Sequence, residues 1–244
     1  ESNPASIAED QIQALLEDRE GILWFGTVSH GLDRFEKTSG RFTHFTHDPS
    51  NRKSISDNRI YALCEDRSGN LWVGTYGGGL NRFDRKTQTF KVYQHIDSVA
   101  SSLGAPGVWA LLEDHEGVLW VGTAGGGLDR FNRDSETFTH FPHHDSNPQS
   151  LSDNLVLCSF EDRSGSLWVG TAAGLNRFNR ESGTFRRYYE KDGLINDVVY
   201  GILEDGKGNL WMSTNKGVSR LDPDRRTFRN YDATDGLQGN EFNQ

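Results

Sequence analysis

A pair of adjacent carboxylates, Glu65 and Asp66, is the first feature of the sequence that could do chemistry. They open the stretch EDRSGNLWVGT, and two carboxyl groups on a tight turn could serve as a general acid and a general base. The stretch recurs, however, in five nearly identical copies: EDREGILWFGT, EDRSGNLWVGT, EDHEGVLWVGT, EDRSGSLWVGT and EDGKGNLWMST. A catalytic pair would be unique, so we interpret the Glu-Asp pairs as structural.

Histidines are the next candidates, because three of them recur every 48 residues: His47, His95 and His143. A zinc site needs ligands that converge on the metal at about 2.0–2.2 Å, whereas periodic residues of separate repeats usually stand far apart. We therefore expect no metal site and no cofactor. His44 and His140 fall on an outer strand of the repeat, where a solvated or edge-covering role is expected.

Five arginines recur as well, and we expect them to pair with repeat carboxylates between neighbouring strands or repeats: Arg34, Arg82, Arg130, Arg177 and Arg220. The glycine runs Gly77-Gly78-Gly79 and Gly125-Gly126-Gly127 are not phosphate-binding loops, because no helix follows them. They predict tight turns. No nucleophile with a neighbouring base is visible, so we expect no catalytic residues and no enzyme activity.

The elements that must position these residues are the repeats themselves. A tryptophan marks each copy, at intervals of 48 residues and finally of 43: Trp24, Trp72, Trp120, Trp168 and Trp211. Each copy contains four short runs typical of strands, which in the second copy are IYALCED (strand A), NLWVGT (B), GLNRFD (C) and FKVYQH (D). The A–B turn DRSG offers an Asp that can cap the turn and a Gly that can take a positive φ.

Strand A is apolar on both faces and carries small residues at one level, such as Ala62 and Ala110. Such a strand suits the inner edge of a radial stack of sheets, and repeats of about 40–50 residues with four strands are typical of β-propeller blades. We therefore predict an all-β fold, a single β-propeller domain over residues 1–244. Its five four-stranded antiparallel blades are expected at approximately 12–47, 60–95, 108–143, 156–190 and 199–232.

We expect the five blades to close into a ring, with an open arc or a fragment of a larger propeller as alternatives. The five tryptophans are expected to be buried between blades. Both chain ends look cut from a longer repeat array, since Ser2-Asn3-Pro4 aligns with Ser146-Asn147-Pro148 and Asp235-Gly236-Leu237 matches Asp192-Gly193-Leu194.

The composition limits the partners of the chain. The net charge is −9 over 244 residues and no run of Lys and Arg appears, which argues against a nucleic-acid partner. No apolar run approaches the roughly 20 residues of a membrane span, so membrane attachment is expected only through segments absent from this chain. The two cysteines, Cys64 and Cys158, lie on strand A of the second and fourth repeats, and we expect both to be free thiols.

The whole repeat frame, S-L-S-D-N, EDRSG-x-LWVGT, GLNRF-N and F-x-x-Y, resembles the two-component regulator propeller repeat over essentially the full chain. Its connector stands here as Ser54-Ile55-Ser56-Asp57-Asn58 and Ser150-Leu151-Ser152-Asp153-Asn154. In that family the repeats form extracytoplasmic sensor propellers of bacterial hybrid histidine kinases, usually with seven blades, which often respond to carbohydrate-derived ligands. The resemblance implies a non-enzymatic signal-input domain, periplasmic or extracellular, that binds a small molecule or an oligosaccharide.

Two other functions stay open beside the sensor. One is a lectin-like module or a protein–protein interaction scaffold, with self-association as a further possibility. The other is a propeller lyase resembling virginiamycin B lyase, whose chemistry would need a unique His and an acid on one face. His30 is the loop histidine that does not recur, and no partner for it is evident in the sequence.

The expected ligand site lies where the repeats differ from one another. In a propeller the B–C turns and the D–A connectors share one face around the mouth of the central channel. The A–B turns are near-copies, whereas the B–C turns and the entry to strand A vary. Aromatic rings with nearby polar groups suit sugar rings and acidic groups. We therefore predict a ligand pocket lined by Tyr61, Trp109, Tyr200, Arg59, His30, Tyr76 and Asn215.

Overall fold

Twenty β-strands and two short 3-10 helices make up the regular structure of residues 6–242, the part of the chain that this computed structural model describes. The predicted connector at Ser2-Asn3-Pro4 lies outside the described residues. The 3-10 helices span Glu190–Asp192 and Ala233–Asp235.

The strands form five sheets of four strands, each antiparallel and in chain order. We call the sheets blades 1 to 5. Their strands have the following bounds: β1 Ile12–Glu17, β2 Leu23–Thr27, β3 Leu32–Glu36, β4 Arg41–Phe45; β5 Ile60–Glu65, β6 Leu71–Thr75, β7 Leu80–Asp84, β8 Thr89–Tyr93; β9 Val108–Glu113, β10 Leu119–Thr123, β11 Gly127–Asn132, β12 Thr137–Phe141; β13 Val156–Glu161, β14 Leu167–Thr171, β15 Gly174–Asn179, β16 Thr184–Tyr188; β17 Val199–Glu204, β18 Leu210–Thr214, β19 Gly217–Leu221, β20 Phe228–Tyr231. The predicted fold class is confirmed.

The described residues group into two compact units. The first comprises residues 1–121 and 130–139, and the second comprises 122–129 and 140–244, so that blade 3 contributes to both. In the first unit strand β5 contacts both β1 and β9, and in the second unit β13 contacts β17. Neighbouring A strands therefore pack together, as the two-sided apolar pattern predicts. A single domain over the whole chain and closure of the ring stay predictions.

The A–B turn is built around its aspartate. In blade 2 Asp66 Oδ1 accepts hydrogen bonds from the backbone N–H groups of Ser68 and Asn70, at 3.0 and 2.9 Å. Gly69 takes a φ of 81°, which glycine adopts without steric strain. The second carboxylate oxygen, Oδ2, accepts from Trp72 Nε1 at 2.8 Å, so the turn also orients the buried indole.

The same carboxylate binds the next blade. Arg133, from the C–D turn of blade 3, donates to Asp66 Oδ2 and Glu113 Oε1, each at 2.7 Å. Arg85 of blade 2 binds Asp18 of blade 1 in the same way, at 2.8 Å. In the second unit Arg225 reaches Asp162 at 3.0 Å. The aspartates of these Glu-Asp pairs therefore link each of these blades to the next through an arginine.

The recurring arginines of strand C pair with carboxylates only in part. Arg34 lies 2.9 Å from Glu36 Oε1, and Arg82 lies 3.8 Å from Glu136 Oε1 of the next blade. Among the described residues Arg177 and Arg220 have no ion-pair partner, and Arg177 lies 5.7 Å from the Trp168 ring. The aspartates of the A–B turns are bound instead by the arginines of the C–D turns.

Four of the five tryptophans are buried as predicted: Trp24, Trp72, Trp120 and Trp168. The next blade covers them, since Trp24 packs on Phe83 at 5.2 Å and Trp72 on Phe131 at 5.1 Å between ring centroids. Trp211 is only partly buried. It belongs to the last blade of the chain and stacks on Tyr231 of its own blade, with the ring centroids 5.5 Å apart.

The outer-strand histidines also differ from expectation. His44 Nδ1 lies 2.6 Å from Oδ1 of Asp33, whose side chain is fully buried on strand β3. His140 and Asp129 repeat this pair at 2.6 Å. Strand D therefore supplies a partner for a buried acid instead of presenting a solvated histidine, and the spacing of the two residues across neighbouring strands is the reason.

Candidate functional site

Three aromatic rings of the predicted pocket meet in the first unit. Tyr61 lies on β5, Trp109 on β9, and Tyr76 in the B–C turn directly after β6. The Tyr61 ring stacks on Trp109 with centroids 5.2 Å apart and planes at 24°, and it lies 5.5 Å from the Tyr76 ring. Tyr76 and Trp109 are 6.2 Å apart. We call Tyr61, Tyr76 and Trp109 the aromatic cluster.

Tyr61 lies in a β-bulge at the entry to strand A. Ile60 pairs with Thr75 and Ala62 pairs with Gly74, so that Tyr61 is the extra residue of the strand. A bulged residue is released from the ladder and its side chain can be aimed away from the sheet face. The same shift occurs at Gln13, Leu157 and Tyr200. Leu157 is buried at this position, whereas Gln13, Tyr61 and Tyr200 are partly exposed.

Arg59 supplies the charge beside the cluster. Its guanidinium carbon lies 4.3 Å from the centre of the Tyr76 ring, within cation–π range. It also binds Asp57 through two hydrogen bonds, Nη2 to Oδ2 at 2.7 Å and Nε to Oδ1 at 3.1 Å. The backbone N–H of Tyr76 donates to the Arg59 carbonyl at 3.0 Å, which ties the B–C turn to the strand entry.

Gly77 lies beside this pair. A Cβ at that position would be in ordinary van der Waals contact with it, 3.4 Å from Asp57 Oδ2 and 3.5 Å from Arg59 Nη2. Burial raises the pKa of Asp57, but the hydrogen bonds and the charge of Arg59 outweigh it, and the pKa of that carboxyl lies below its ordinary value. The pair is therefore ionised at neutral pH, with the Arg59 side chain half exposed.

The other predicted pocket residues have different surroundings. His30 is exposed, and its Nδ1 lies 2.9 Å from Ser29 Oγ and 3.4 Å from Glu9 Oε2. The structure gives it these partners in blade 1 and does not place it against the aromatic cluster. Tyr200 and Asn215 belong to the second unit, where Tyr200 is the bulged residue of β17 and Asn215 follows β18.

Asp57 is the site residue that the sequence analysis missed. Its signal was present, because Asp57 stands two residues before Arg59 in the connector S-I-S-D-N. The backbone N–H of Arg59 also donates to Asp57 Oδ1 at 3.0 Å, an Asx-type turn that brings the two side chains together. Trp109 Nε1 is a further polar group of the cluster, buried and without a hydrogen-bond partner among residues 6–242.

The arrangement combines aromatic faces with an ion pair, a combination suited to recognition. Stacked rings offer apolar surface, and the guanidinium and carboxylate offer a donor and an acceptor beside it. Within the described residues no group of three or more His, Cys, Asp and Glu side chains could hold a metal ion. The recurring histidines instead anchor the connectors, as His47 Nδ1 does with the Ile55 carbonyl at 2.8 Å.

The family model described as "two component regulator propeller" matches the sequence five times, at residues 6–29, 54–77, 102–125, 150–173 and 193–216. The chain belongs to this family. Each match of this two component regulator propeller spans a connector, an A strand, a B strand and the start of the B–C turn. Tyr61, Tyr76, Arg59 and Asp57 therefore lie within one matched repeat, and Trp109 lies in the next.

Solved structures share the fold of the two component regulator propeller. The extracellular domain of a hybrid two component system from B. thetaiotaomicron superposes with a TM-score of 0.79 at 23% identity, over 97% of this chain and 31% of that chain. The extracellular domain of a one component system from the same organism gives 0.63 at 22%, over 93% and 38%. Virginiamycin B lyase from Staphylococcus aureus gives 0.68 at 15%, over 91% and 69%.

The chain thus spans about a third of the length of the two extracellular domains. At these identities the likeness concerns the fold. None of the curated proteins matches the sequence. In the described part of the chain no helix has the length and apolar character needed to cross a membrane.

Proposed function

We propose that this two component regulator propeller is a non-enzymatic, extracytoplasmic ligand-binding part of a two-component signalling protein. Its ligand is a small molecule or an oligosaccharide derived from carbohydrate. The family description and the fold shared with extracellular domains of such systems support this assignment. The absence of a Lys/Arg run and the net charge of −9 argue against nucleic acid as the ligand.

The aromatic cluster is the observation that carries the proposal. Three rings from two neighbouring blades lie within 6.2 Å of one another at positions that the blades do not need for their own packing. Sugar rings present C–H faces that pack on aromatic rings, while their hydroxyl groups need donors and acceptors. Arg59 and Asp57 supply both beside Tyr76.

The remaining predicted residues extend this site only as a hypothesis. Tyr200 and Asn215 occupy, in blade 5, the positions that Tyr61 and Tyr76 have in blade 2. We propose each of them as a ligand contact of the second unit. His30 is proposed as a more distant contact through the exposed turn of blade 1.

Titration calorimetry of the whole chain with a panel of neutral and acidic oligosaccharides tests the proposal. Trp109→Ala and Arg59→Ala should each weaken binding about tenfold or more, as expected for aromatic and arginine anchors. Gln13→Ala is the matched control, since Gln13 is the bulged residue of blade 1. It should leave the affinity within about twofold.

Unchanged affinity in both variants, with the thermal unfolding curve intact, would remove the cluster from the site. Binding of another protein but of no saccharide in the panel would favour the scaffold function. A lyase would reveal itself by turnover of a glycan or of virginiamycin B, followed by mass spectrometry. Turnover that His30→Ala abolishes would replace the sensor proposal by the enzyme.

A further inference from the structure

Blade 4 carries two arginines that face each other across its outer strands. Arg177 on β15 is in register with Arg186 on β16, and like charges directly opposite one another destabilise a sheet. Arg177 Nη2 donates to Ser166 Oγ at 2.8 Å, and Arg186 lies 4.9 Å from the Tyr188 ring. Over residues 6–242, neither guanidinium has a carboxylate within ion-pair distance.

Blade 2 shows how the same arrangement is neutralised. Arg82 is in register with Lys91, and both face Glu136 from the C–D turn of the next blade. Arg82 Nη2 lies 3.8 Å from Glu136 Oε1, and Lys91 Nζ donates to Glu136 Oε2. The Tyr93 hydroxyl donates to Glu136 Oε1 at 3.0 Å. One carboxylate therefore serves two cations and one phenol.

Tyr188 occupies in blade 4 the position of Tyr93. Each pairs with the leucine that begins the motif of strand C, Leu175 and Leu80. Tyr188 is 4% exposed, but its buried hydroxyl has no hydrogen-bond partner among the described residues. Burial raises the pKa of Tyr188, the positive charges of Arg186, Arg177 and Arg225 oppose the rise, and the Asp192 carboxylate adds to it. The hydroxyl and the guanidiniums are therefore electrostatic neighbours.

The missing acceptor has a cause in the sequence. Counted back from the Phe of strand D, the position of Glu136 is Arg226 in blade 5. By backbone conformation it is Arg225, because Glu136 and Arg225 have left-handed φ values of 54° and 58°. Arg225 is already bound to Asp162 at 3.0 Å. Beside blade 4, arginine thus stands where blade 2 meets a carboxylate.

A cavity of about 590 Å³ borders Arg177 and Arg186, while Tyr188 is not among the residues that line it. Three arginines line it, together with hydrogen-bonding side chains: Arg177, Arg180, Arg186, Ser166, Asn179 and Thr184. Glu181 also contributes to the lining. Arg180 is engaged by Glu161 at 2.9 Å, whereas Arg177 and Arg186 bring positive charge without a bound acid.

We propose that blade 4 binds an oxyanion, a sulfate, phosphate or carboxylate group, which reaches Arg177 and Arg186 from this cavity, takes the place of the Glu136 carboxylate, and accepts hydrogen bonds from the two guanidiniums and the Tyr188 hydroxyl. Arginine presents a planar fork of N–H groups that matches such anions with two hydrogen bonds. The site uses residues of strands C and D and does not depend on the aromatic cluster.

The test measures binding of sodium sulfate and sodium phosphate to the whole chain by calorimetry and by thermal unfolding, against sodium chloride at equal ionic strength. Both oxyanions should raise Tm more than chloride does. Tyr188→Phe should weaken their binding roughly three- to tenfold, and Arg177→Gln or Arg186→Gln roughly tenfold or more. The Tyr188 change should leave the anion-free protein at least as stable, because it removes an unpaired buried hydroxyl.

Tyr93→Phe is the matched control. It should lower Tm because Glu136 loses a donor, while anion binding stays unchanged. Arg226→Glu should weaken anion binding by adding a competing carboxylate. Glucose 6-phosphate and acetate, compared with inorganic phosphate, identify whether an esterified phosphate, a carboxylate or the free ion is preferred, and preference for any of them supports the site.

Three results would overturn the proposal. The first is a Tm increase in sulfate and phosphate no larger than in chloride. The second is anion binding that Tyr188→Phe and the single arginine variants leave unchanged. The third is binding lost instead in Arg220→Gln with Arg229→Gln, the opposed arginines of blade 5.

Discussion

Asp66 illustrates how much one side chain does in this repeat. Its fully buried carboxylate holds the A–B turn, the Trp72 indole and Arg133 of the next blade at once. Removing a buried acceptor leaves its donors without a partner. The loss in the free energy of unfolding is then larger than the average contribution of a hydrogen bond. Both carboxylate oxygens of Asp66 thus accept structural hydrogen bonds, which argues against a catalytic role for the Glu-Asp pair.

Stability should therefore depend on the ionisation of Asp66. Burial raises its pKa, but hydrogen bonds from Trp72, Arg133 and Asn70 outweigh this and lower the pKa from 3.8 to about 2. Because the folded pKa is the lower one, the stabilisation is complete above about pH 4 and is lost as the pH falls toward 2. One such group contributes roughly 2 kcal/mol. Denaturant unfolding at pH 6 and pH 2.5 measures it.

Asp66→Asn should flatten this part of the pH dependence and lower the free energy of unfolding at pH 6. Asp97→Asn is the control, since the Asp97 side chain is fully exposed and pairs only with His95 at the surface. It should change stability by less than about 0.5 kcal/mol. If the free energy of unfolding changed equally with pH in wild type and in Asp66→Asn, the stabilising role of the ionised Asp66 would be contradicted.

At the scale of the strands, the glycine of LWVGT sets the distance between blades. A Cβ on Gly74 of β6 would lie 2.6 Å from Val108 Cγ1 and 2.8 Å from the Val108 carbonyl, both on β9. A Cβ on Gly26 would likewise lie 2.6 Å from Ile60 Cγ2 of the next blade. Blade 5 has Ser213 at this position.

Gly74→Ala should consequently lower the free energy of unfolding by about 2–3 kcal/mol, the usual range for forcing extra atoms into a packed interior. Gly206→Ala is the matched control, because an added Cβ there meets no atom within 4 Å and its φ is not left-handed. Urea unfolding of both variants measures the difference. Similar losses in the two would mean that blades 2 and 3 can shift apart at little cost.

The tryptophans allow a comparison within the same motif. Trp120 is 2% exposed, and Trp120→Ala should cost about 3–5 kcal/mol through lost burial and the cavity left behind. Trp211 is only partly buried, so Trp211→Ala should cost clearly less. Thermal and denaturant unfolding of the two variants checks the order. A reversed order would place the stabilising contacts of the motif outside the indole.

At the scale of the whole molecule, the A strands of blades 1 and 5 carry the two most exposed large apolar side chains of residues 6–242. Leu15 on β1 is 63% exposed and Leu203 on β17 is 70% exposed. In blade 2 the corresponding residues, Leu63 and Cys64, are partly buried, and Ile60 is fully buried where Ile12 of blade 1 is 37% exposed. In the inner blades a neighbouring blade covers this strand. Where the strand instead leaves apolar side chains exposed, the surface is typical of one that binds a partner.

We therefore expect self-association of this chain that depends on concentration. Leu15→Gln and Leu203→Gln should each shift light-scattering masses toward the monomer, while Gln13→Ala, on the same strand, should not. A monomer at all concentrations in wild type would exclude self-association. Solution scattering on that monomer would then test the predicted closure of the ring, since an open arc gives a larger radius of gyration.

The sequence alone determined the repeat, the four strands of each blade and the structural character of the Glu-Asp pairs. These features follow from the alternation of apolar and polar residues and from the turn residues within a repeat of about 50 residues. Because the repeat occurs five times, the same pattern can be recognised in five copies. The sequence also identified Tyr61, Tyr76, Trp109 and Arg59 as residues that the repeat does not need.

The tertiary structure alone decided which residues meet across blades. It assigned the aspartates of the A–B turns to Arg85 and Arg133, and it set Tyr188 and two arginines beside a position without an acid. The contacts between blades link residues separated by more than one repeat, as Asp66 and Arg133 are by 67 positions. Their geometry depends on how one sheet packs on the next, and residue spacing within a single repeat carries no information about that packing.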